Sequence, residues 1–230
     1  MTWILIVGSG TGTRFGSEIP KQFLDLAGIP VIAWSILAFK RALPKASLVL
    51  TIPKGKAYQQ LAKERLSRFR DFCEGIVEGG AHRQESVIKG LKWIHNDCND
   101  CKVLIHDGVR PFVNVDLIKR VHKQIERGKA VVPTIQPPES VRIQTGNVNQ
   151  PINRELVHLV QTPQGFYLQD LLTKLDELSE TYSTDEASLF GPRVNIVEGD
   201  RRNIKITFPE DLIIAKAMIS AGLIEKPDVV

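Results

Sequence analysis

Apolar positions along the chain fall into two alternating kinds of segment. Short continuous or period-two runs at 3–7, 47–52, 75–77, 103–106, 130–135, 157–160 and 195–197 read as strands. Runs with a 3.6-residue spacing between them predict helices near 30–42, over about 56–70, from near 83 to about 95, over 116–127, near 168–179 and over 209–221. Strands alternating with helices predict an α/β fold, a mostly parallel sheet with helices on both faces. The expectation is a single domain over residues 1–230, with residues 225–230 as a loose tail.

The pattern breaks once. Gln136-Pro137-Pro138 ends a strand, and residues 139–150 form two short polar-alternating runs around Gly146-Asn147, a hairpin turn signal. Neither face is apolar enough to pack on a core. A β-arm protruding at about 136–152 is therefore expected to pair with another chain, because an exposed edge pair is a template for association.

Composition narrows the class without naming a function. The 230 residues are 43% hydrophobic and 24% charged, which suits a globular chain with a sizeable core. The net charge of +4 is spread along the sequence, so nucleic acid is not the expected partner, whereas an anionic substrate is. No apolar stretch approaches the ~20 residues that span a bilayer, and the first strand starts at once with no leader-type segment, so a cytoplasmic location is expected and membrane binding is not. Three cysteines, Cys73, Cys98 and Cys101, argue against a disulfide framework. Cys98-Asn99-Asp100-Cys101 has metal-like spacing but supplies only half a tetrahedral site, and reads as two thiols in a polar loop.

The candidate chemistry begins directly after the first strand. Gly8-Ser9-Gly10-Thr11-Gly12-Thr13-Arg14-Phe15-Gly16 places four glycines in a loop whose N–H groups can turn toward an anion. Arg14, and Lys21 within Pro20-Lys21-Gln22, add two positive charges. A dinucleotide fingerprint would need glycine at Thr13 and an acid at the end of the second strand, where the chain has Pro53-Lys54. A Walker A loop would need lysine directly after Gly12. In an open α/β sheet, ligands bind at the carboxyl ends of the strands. Further polar blocks fall at those ends: residues 78–86, 106–112, 153–154, 161–166, 184–188 and 197–207.

These blocks occur in a recognisable order. G-x-G-x-R with P-K-Q, then G-G-x-x-R-x-x-S-V, H-D-x-x-R-P, T-P-Q-x-F, T-D-E-A-S and V-E-G-x-x-x-N-I-K-I-T-x-P-E-D-L cover the chain from Ile4 to about Ala217. The chain resembles the 2-C-methyl-D-erythritol 4-phosphate cytidylyltransferase family, of nucleotide-diphospho-sugar transferase-like, Rossmann-like fold. The resemblance implies transfer of CMP from CTP to a sugar-alcohol phosphate in non-mevalonate isoprenoid precursor synthesis, with release of pyrophosphate. It also implies Mg²⁺ as cofactor, and a homodimer whose arm reaches the partner's site. By this resemblance Gly8, Ser9, Gly10, Thr11 and Gly12 would wrap the triphosphate, while Arg14 and Lys21 would stabilise the α-phosphate. Gly80 and Ser86 would read cytosine, and Asp107 would hold Mg²⁺ or the nucleotide. Arg110, Arg154, Thr184 and Lys205 would grip the second substrate, with Ser140 and Arg154 supplied by the other subunit. The catalytic set would be Arg14, Lys21, Lys205 and Arg154.

The sequence departs from the family pattern in three places. Gly8-Ser9-Gly10 stands where the loop usually begins Ala-Ala-Gly or Ala-Gly-Gly. Ala81 follows Gly80 where Asp is frequent. Glu139-Ser140-Val141-Arg142 replaces the arm's Asp-Thr and following basic residue. Two other readings stay open at this point. One is the related ribitol 5-phosphate cytidylyltransferase of teichoic acid synthesis, whose loop also tends to read Gly-Thr-Gly-Thr-Arg; the other is a catalytically inactive nucleotide-binding module.

Overall fold

The computed structural model describes residues 1–12, 15–16, 19–177 and 185–228. The strands are β1 (Thr2–Val7), β2 (Asp25–Leu26), β3 (Ile29–Pro30), β4 (Ser47–Ile52), β5 (Gly75–Glu78), β6 (Lys102–Asp107), β7 (Ala130–Ile135), β8 (Val141–Thr145), β9 (Val148–Ile152), β10 (Leu159–Val160), β11 (Gln164–Tyr167) and β12 (Val194–Glu198). The helices are α1 (Val31–Ala42), α2 (Lys56–Arg65), α3 (Arg83–Asp97), α4 (Val115–Lys123), α5 (Leu168–Asp176) and α6 (Pro209–Ser220). Among the described residues eight strands form one sheet in the order β10-β7-β11-β6-β1-β4-β5, with β12 also paired to β7. The pairs at β1–β4, β1–β6, β4–β5 and β12–β7 are parallel, while β10 and β11 run antiparallel to β7. Among the described residues no helix is long and apolar enough to cross a membrane.

Alternate side chains of each strand face opposite sides, so the buried β1 feeds two cores at once. Ile4 and Ile6 join Leu48, Leu50 and Leu104 beneath α1 and α4. Trp3, Leu5 and Val7 join Val49, Val103 and Ile105 beneath α3 and α5. Burial on both faces accounts for the nearly unbroken apolar runs that mark these strands in the sequence.

The expected helix over 56–70 stops at Arg65 and continues as a 3₁₀ turn, Ser67–Phe72, which buries Phe69. The helix expected over 116–127 ends at Lys123; Asn114 caps its start by accepting from Leu117 N at 2.8 Å. Gln164–Tyr167, which overlaps the polar block at 161–166 and is not among the strands expected from sequence, is a strand set between β6 and β7. It is four residues long and contains Gly165, so it carries no alternation to read. A Cβ at Gly165 would meet Ile125 Cγ1 at 2.6 Å, so close packing of α4's end on the sheet requires glycine there. The hairpin forms around Gly146-Asn147, with Thr145 opposite Val148, as β8–β9. Its strands make a separate two-stranded sheet and are exposed except at Val141, which is half-buried.

Three parallel strands end in glycine at one level. Gly8 N donates to Thr51 O (2.9 Å), Gly79 N to Ile52 O (2.8 Å) and Gly108 N to Val7 O (2.8 Å), so each ladder extends into its loop. The Ile32 side chain of α1 fills the space a Cβ would need at both Gly8 (2.6 Å) and Gly108 (2.9 Å). Gly8→Ala should therefore destabilise the fold by about 1–3 kcal/mol through overpacking. Ile32→Val, which removes the colliding methyl, should recover part of that loss in the double variant. Denaturant unfolding of the four-member cycle measures it; additive effects would show that Ile32 is not the obstacle.

Candidate active site

The cleft lies above the carboxyl ends of β1, β4, β5 and β6. It encloses about 630 Å³ and is lined by residues 8–12, Lys21, Lys54, Gly80, Arg83, Asp107 and Lys205, among others. The glycine loop is pinned from below by Gln22, which is 1% exposed and donates from Nε2 to Gly8 O (2.6 Å) and Gly10 O (2.9 Å). Those two carbonyls are thereby satisfied within the protein. Gln22 sits in a 3₁₀ turn, Lys21–Phe23, so the same turn that anchors the loop presents Lys21 at the cleft wall. The Lys21 ammonium donates to Thr207 O at 3.4 Å.

Ser86 locks the neighbouring turn. Its buried hydroxyl donates to His82 O (3.0 Å) and accepts from Gly80 N (2.9 Å) and from the Ser9 hydroxyl (2.7 Å). Its hydrogen-bonding capacity is used internally, so Ser86 holds Gly80 and Ser9 against each other. Gly80 itself lines the cleft. Glu85 completes the turn by accepting from Ala81 N at 2.7 Å.

At the end of β6 the carboxylate of Asp107 is 6% exposed and faces three cations from three chain segments. Arg83 Nε lies 3.0 Å from Oδ1, while Lys205 Nζ lies 2.8 Å and Arg110 Nε 3.7 Å from Oδ2. The last is too long for a hydrogen bond, and the Arg110 guanidinium instead donates to Asn203 O at 2.8 Å. Burial pushes the Asp107 carboxyl up, but Arg83, Lys205 and Arg110 together outweigh it and hold it well below the usual carboxylate range. Arg83 also clasps the buried Glu186 at 2.7 and 2.8 Å. Burial pushes Glu186 up, and Arg83 opposes that shift.

A second buried chain of bonds sets the height of this cluster. His106 is fully buried; its Nε2 lies 3.1 Å from Arg110 O, which can only accept, so Nε2 carries the proton. Nδ1 then accepts from the Thr162 hydroxyl at 2.9 Å, and that hydroxyl accepts from Asp107 N at 3.1 Å. Asn203 Nδ2 donates to Thr162 O at 2.8 Å and draws in the segment that carries Lys205.

The residues expected from sequence separate accordingly. Gly8, Ser9, Gly10, Thr11, Gly12, Lys21, Gly80, Asp107 and Lys205 line one cleft, with Ser86 and Arg110 packed just behind it. Arg14 and Thr184 lie outside the described residues. Ser140 and Arg154 are exposed at the base of the hairpin, where Arg154 donates to Pro138 O at 2.6 Å, and neither lines this cleft. Sequence reasoning missed four contributors: Gln22, Arg83, Glu186 and Lys54. The first three lie inside the quoted blocks, and their signal was a long polar side chain beside a glycine turn or a strand end. Among the described residues no three His, Cys, Asp or Glu side chains come together to hold a metal ion, and Cys98-x-x-Cys101 forms no such group.

Burial lowers the His106 pKa from 6.5 to about 4, against the raising effect of the Arg110 carbonyl. The unfolded chain therefore binds a proton that the folded chain refuses. This contribution to stability is complete above pH 6.5 and is lost as pH falls toward 4, at up to about 1.4 kcal/mol per pH unit. Asp107 acts in the same direction only below its ordinary value of 3.8. Denaturant unfolding between about pH 7 and 4.5 should show this decline, and His106→Asn should flatten it. An unchanged slope in the variant would assign the decline to other groups.

The chain matches the family model described as 2-C-methyl-D-erythritol 4-phosphate cytidylyltransferase over residues 2–221. A protein of that name from Bacteroides fragilis is 40% identical, the match covering 94% of this chain and 98% of the relative. One from Geobacter metallireducens is 34% identical over 95% and 97% of the two chains. The solved 4-diphosphocytidyl-2C-methyl-D-erythritol synthase of Anaerococcus prevotii superposes with a TM-score of 0.80 at 27% identity, covering 95% of this chain and 96% of the other. The solved 2-C-methyl-D-erythritol 4-phosphate cytidylyltransferase of Thermus thermophilus gives a TM-score of 0.71 at 29% identity, covering 94% and 98%.

Proposed function

The chain belongs to the 2-C-methyl-D-erythritol 4-phosphate cytidylyltransferase family, and we propose that the cleft above β1 is where it transfers CMP from CTP to 2-C-methyl-D-erythritol 4-phosphate, as in isoprenoid precursor synthesis. A phosphate oxygen of the second substrate attacks the α-phosphorus of CTP, a new P–O bond forms, and the bond to the β-phosphate breaks to release pyrophosphate. One observation carries this reading: a pinned glycine loop and three cations from separate segments, Lys21, Arg83 and Lys205, line the same cleft. Such transfers depend on positioning and charge neutralisation more than on covalent work by the protein.

In this division of labour, residues 8–12 wrap the triphosphate through backbone N–H groups. Lys21, together with Arg14, neutralises charge that grows at the α-phosphate, an effect for which one donor contributes ~3–4 kcal/mol. Gly80 offers its backbone edge to cytosine, with Ser86 holding that edge in place. Arg110, Lys205 and Thr184 take the second substrate. The relatives named for 2-C-methyl-D-erythritol 4-phosphate favour it over ribitol 5-phosphate as that substrate.

Mg²⁺ is the cofactor we propose, held by Asp107. Of its three ion pairs only those to Arg83 and Lys205 are within hydrogen-bond distance, which leaves part of that carboxylate's capacity of about four acceptor sites open. One carboxylate plus phosphate oxygens and waters is an ordinary Mg²⁺ environment, so the donor set fits a metal that arrives with the nucleotide. The ion would supply charge neutralisation on the phosphates.

We also place the hairpin β8–β9 as a dimer arm that brings Ser140 and Arg154 to the partner's cleft. Its exposed Ile143, Val148 and Ile152 support this, because an isolated two-stranded hairpin with apolar positions facing water gains by pairing. A cytoplasmic setting, without nucleic-acid or membrane partners, follows the same reading.

Purified protein with CTP and Mg²⁺ should release pyrophosphate with 2-C-methyl-D-erythritol 4-phosphate and far more slowly with ribitol 5-phosphate. Lys21→Ala should lower kcat about 10²–10³-fold while retaining most CTP affinity. Reversed substrate preference, or turnover that survives Lys21→Ala, would contradict this assignment. Mixing Lys21→Ala with Arg154→Ala protein tests the shared site: each is inactive alone, and mixed dimers should regain activity. No recovery on subunit exchange would remove Arg154 from the partner's cleft.

A further inference from the structure

One cation in the cleft belongs to none of the family blocks. Lys54 follows Pro53 at the carboxyl end of β4, at the place where a dinucleotide fold carries an acid for the ribose. Its side chain is exposed and lines the cleft. The other described cleft cations are already engaged: Lys21 with Thr207 O, Arg83 with Asp107 and Glu186, and Lys205 with Asp107. Lys54 makes no hydrogen bond or ion pair among the described residues.

Its backbone, by contrast, is fixed. Pro53 is buried, and Gly55 N donates to Glu78 Oε1 at 2.9 Å, which ties the turn to β5. Gln59 Nε2 holds the same carboxylate oxygen at 3.0 Å. The lysine thus projects from a clamped turn, which lowers the ordering cost of any contact it makes. The strand order β6-β1-β4-β5 places it between the glycine loop and the Gly79-Gly80 turn, across the loop from Asp107 and Lys205.

We propose that Lys54 is a CTP-binding residue, whose long side chain reaches from the nucleoside side of the cleft, beside the Gly79-Gly80 turn, so that its ammonium pairs with the triphosphate along residues 8–12. The inference rests on the cleft being a nucleotide site. A cation on that side acts on charge that CTP carries before and during reaction alike, so it strengthens binding uniformly and leaves the chemical step alone. It also makes CTP affinity more sensitive to salt.

Isothermal titration of the 230-residue protein with CTP and Mg²⁺ tests this without requiring turnover. Lys54→Met keeps the aliphatic stem and removes the charge; it should raise the CTP Kd about tenfold, and Lys54→Arg should restore it. The salt dependence of the Kd should be shallower in the methionine variant. In turnover assays the KM for CTP should rise with the Kd, with kcat at saturation unchanged to within about twofold. A wild-type Kd in Lys54→Met, a loss confined to kcat, or no rescue by arginine would overturn the inference while the proposed function stands. A wild-type protein that binds CTP but turns over neither sugar phosphate would sink the proposed function and leave this contact intact.

Discussion

An isolated carboxylate buried beneath a cleft costs several kcal/mol, and Asp107 is tolerated only because cations from separate parts of the chain converge on it. Arg83 arrives at the first turn of α3, Arg110 from the loop after β6, and Lys205 from the segment before α6. Each of these elements is placed by its own packing, but their ends meet at one anion. Arg83 is fixed in turn by Glu186, so the network reaches across to the segment after α5. The cluster leaves more positive than negative charge at the cleft, which suits a polyanionic ligand.

The glycine loop depends on the same logic in neutral form. Its backbone N–H groups can turn toward a ligand only if its carbonyls are satisfied elsewhere, and Gln22 does this at two positions. Gly8 and Gly108 lie against Ile32, which sets how deeply the loop and the β6 turn sit above the sheet. The family's usual alanine has no room at Gly8 while Ile32 holds its place. The departure at Gly8 is therefore a packing relation with α1, and Ser9 finds its use in the bond to Ser86.

Much of the fold was legible because the parallel strands are buried on both faces and read as unbroken apolar runs. Ser47–Ile52 and Ala130–Ile135 appear in the sequence with the bounds they have in the structure. Gln164–Tyr167 was not legible: it is short, glycine-containing and held by long-range pairing that no local pattern reports. Glycine turns and lysines of the site stood out as residue types. Arg83 and Glu186 did not, since their importance lies in meeting each other and Asp107 across 24 and 103 positions of chain. Gln22 was read as part of a motif, but its role depends on a tight turn that aims it beneath the loop. Lys54 has no local signal beyond standing, after Pro53, where a dinucleotide fold has an acid.

In the reaction we propose, Asp107 and its cations organise the cleft in which the α-phosphate of CTP is attacked. A crystal structure of the protein with CTP and Mg²⁺ tests it most directly. The triphosphate should lie along residues 8–12, with the α-phosphate within hydrogen-bonding reach of Lys21 and Mg²⁺ between Asp107 and the phosphates. Nucleotide bound away from this cleft, or an α-phosphate remote from both Lys21 and Asp107, would contradict it.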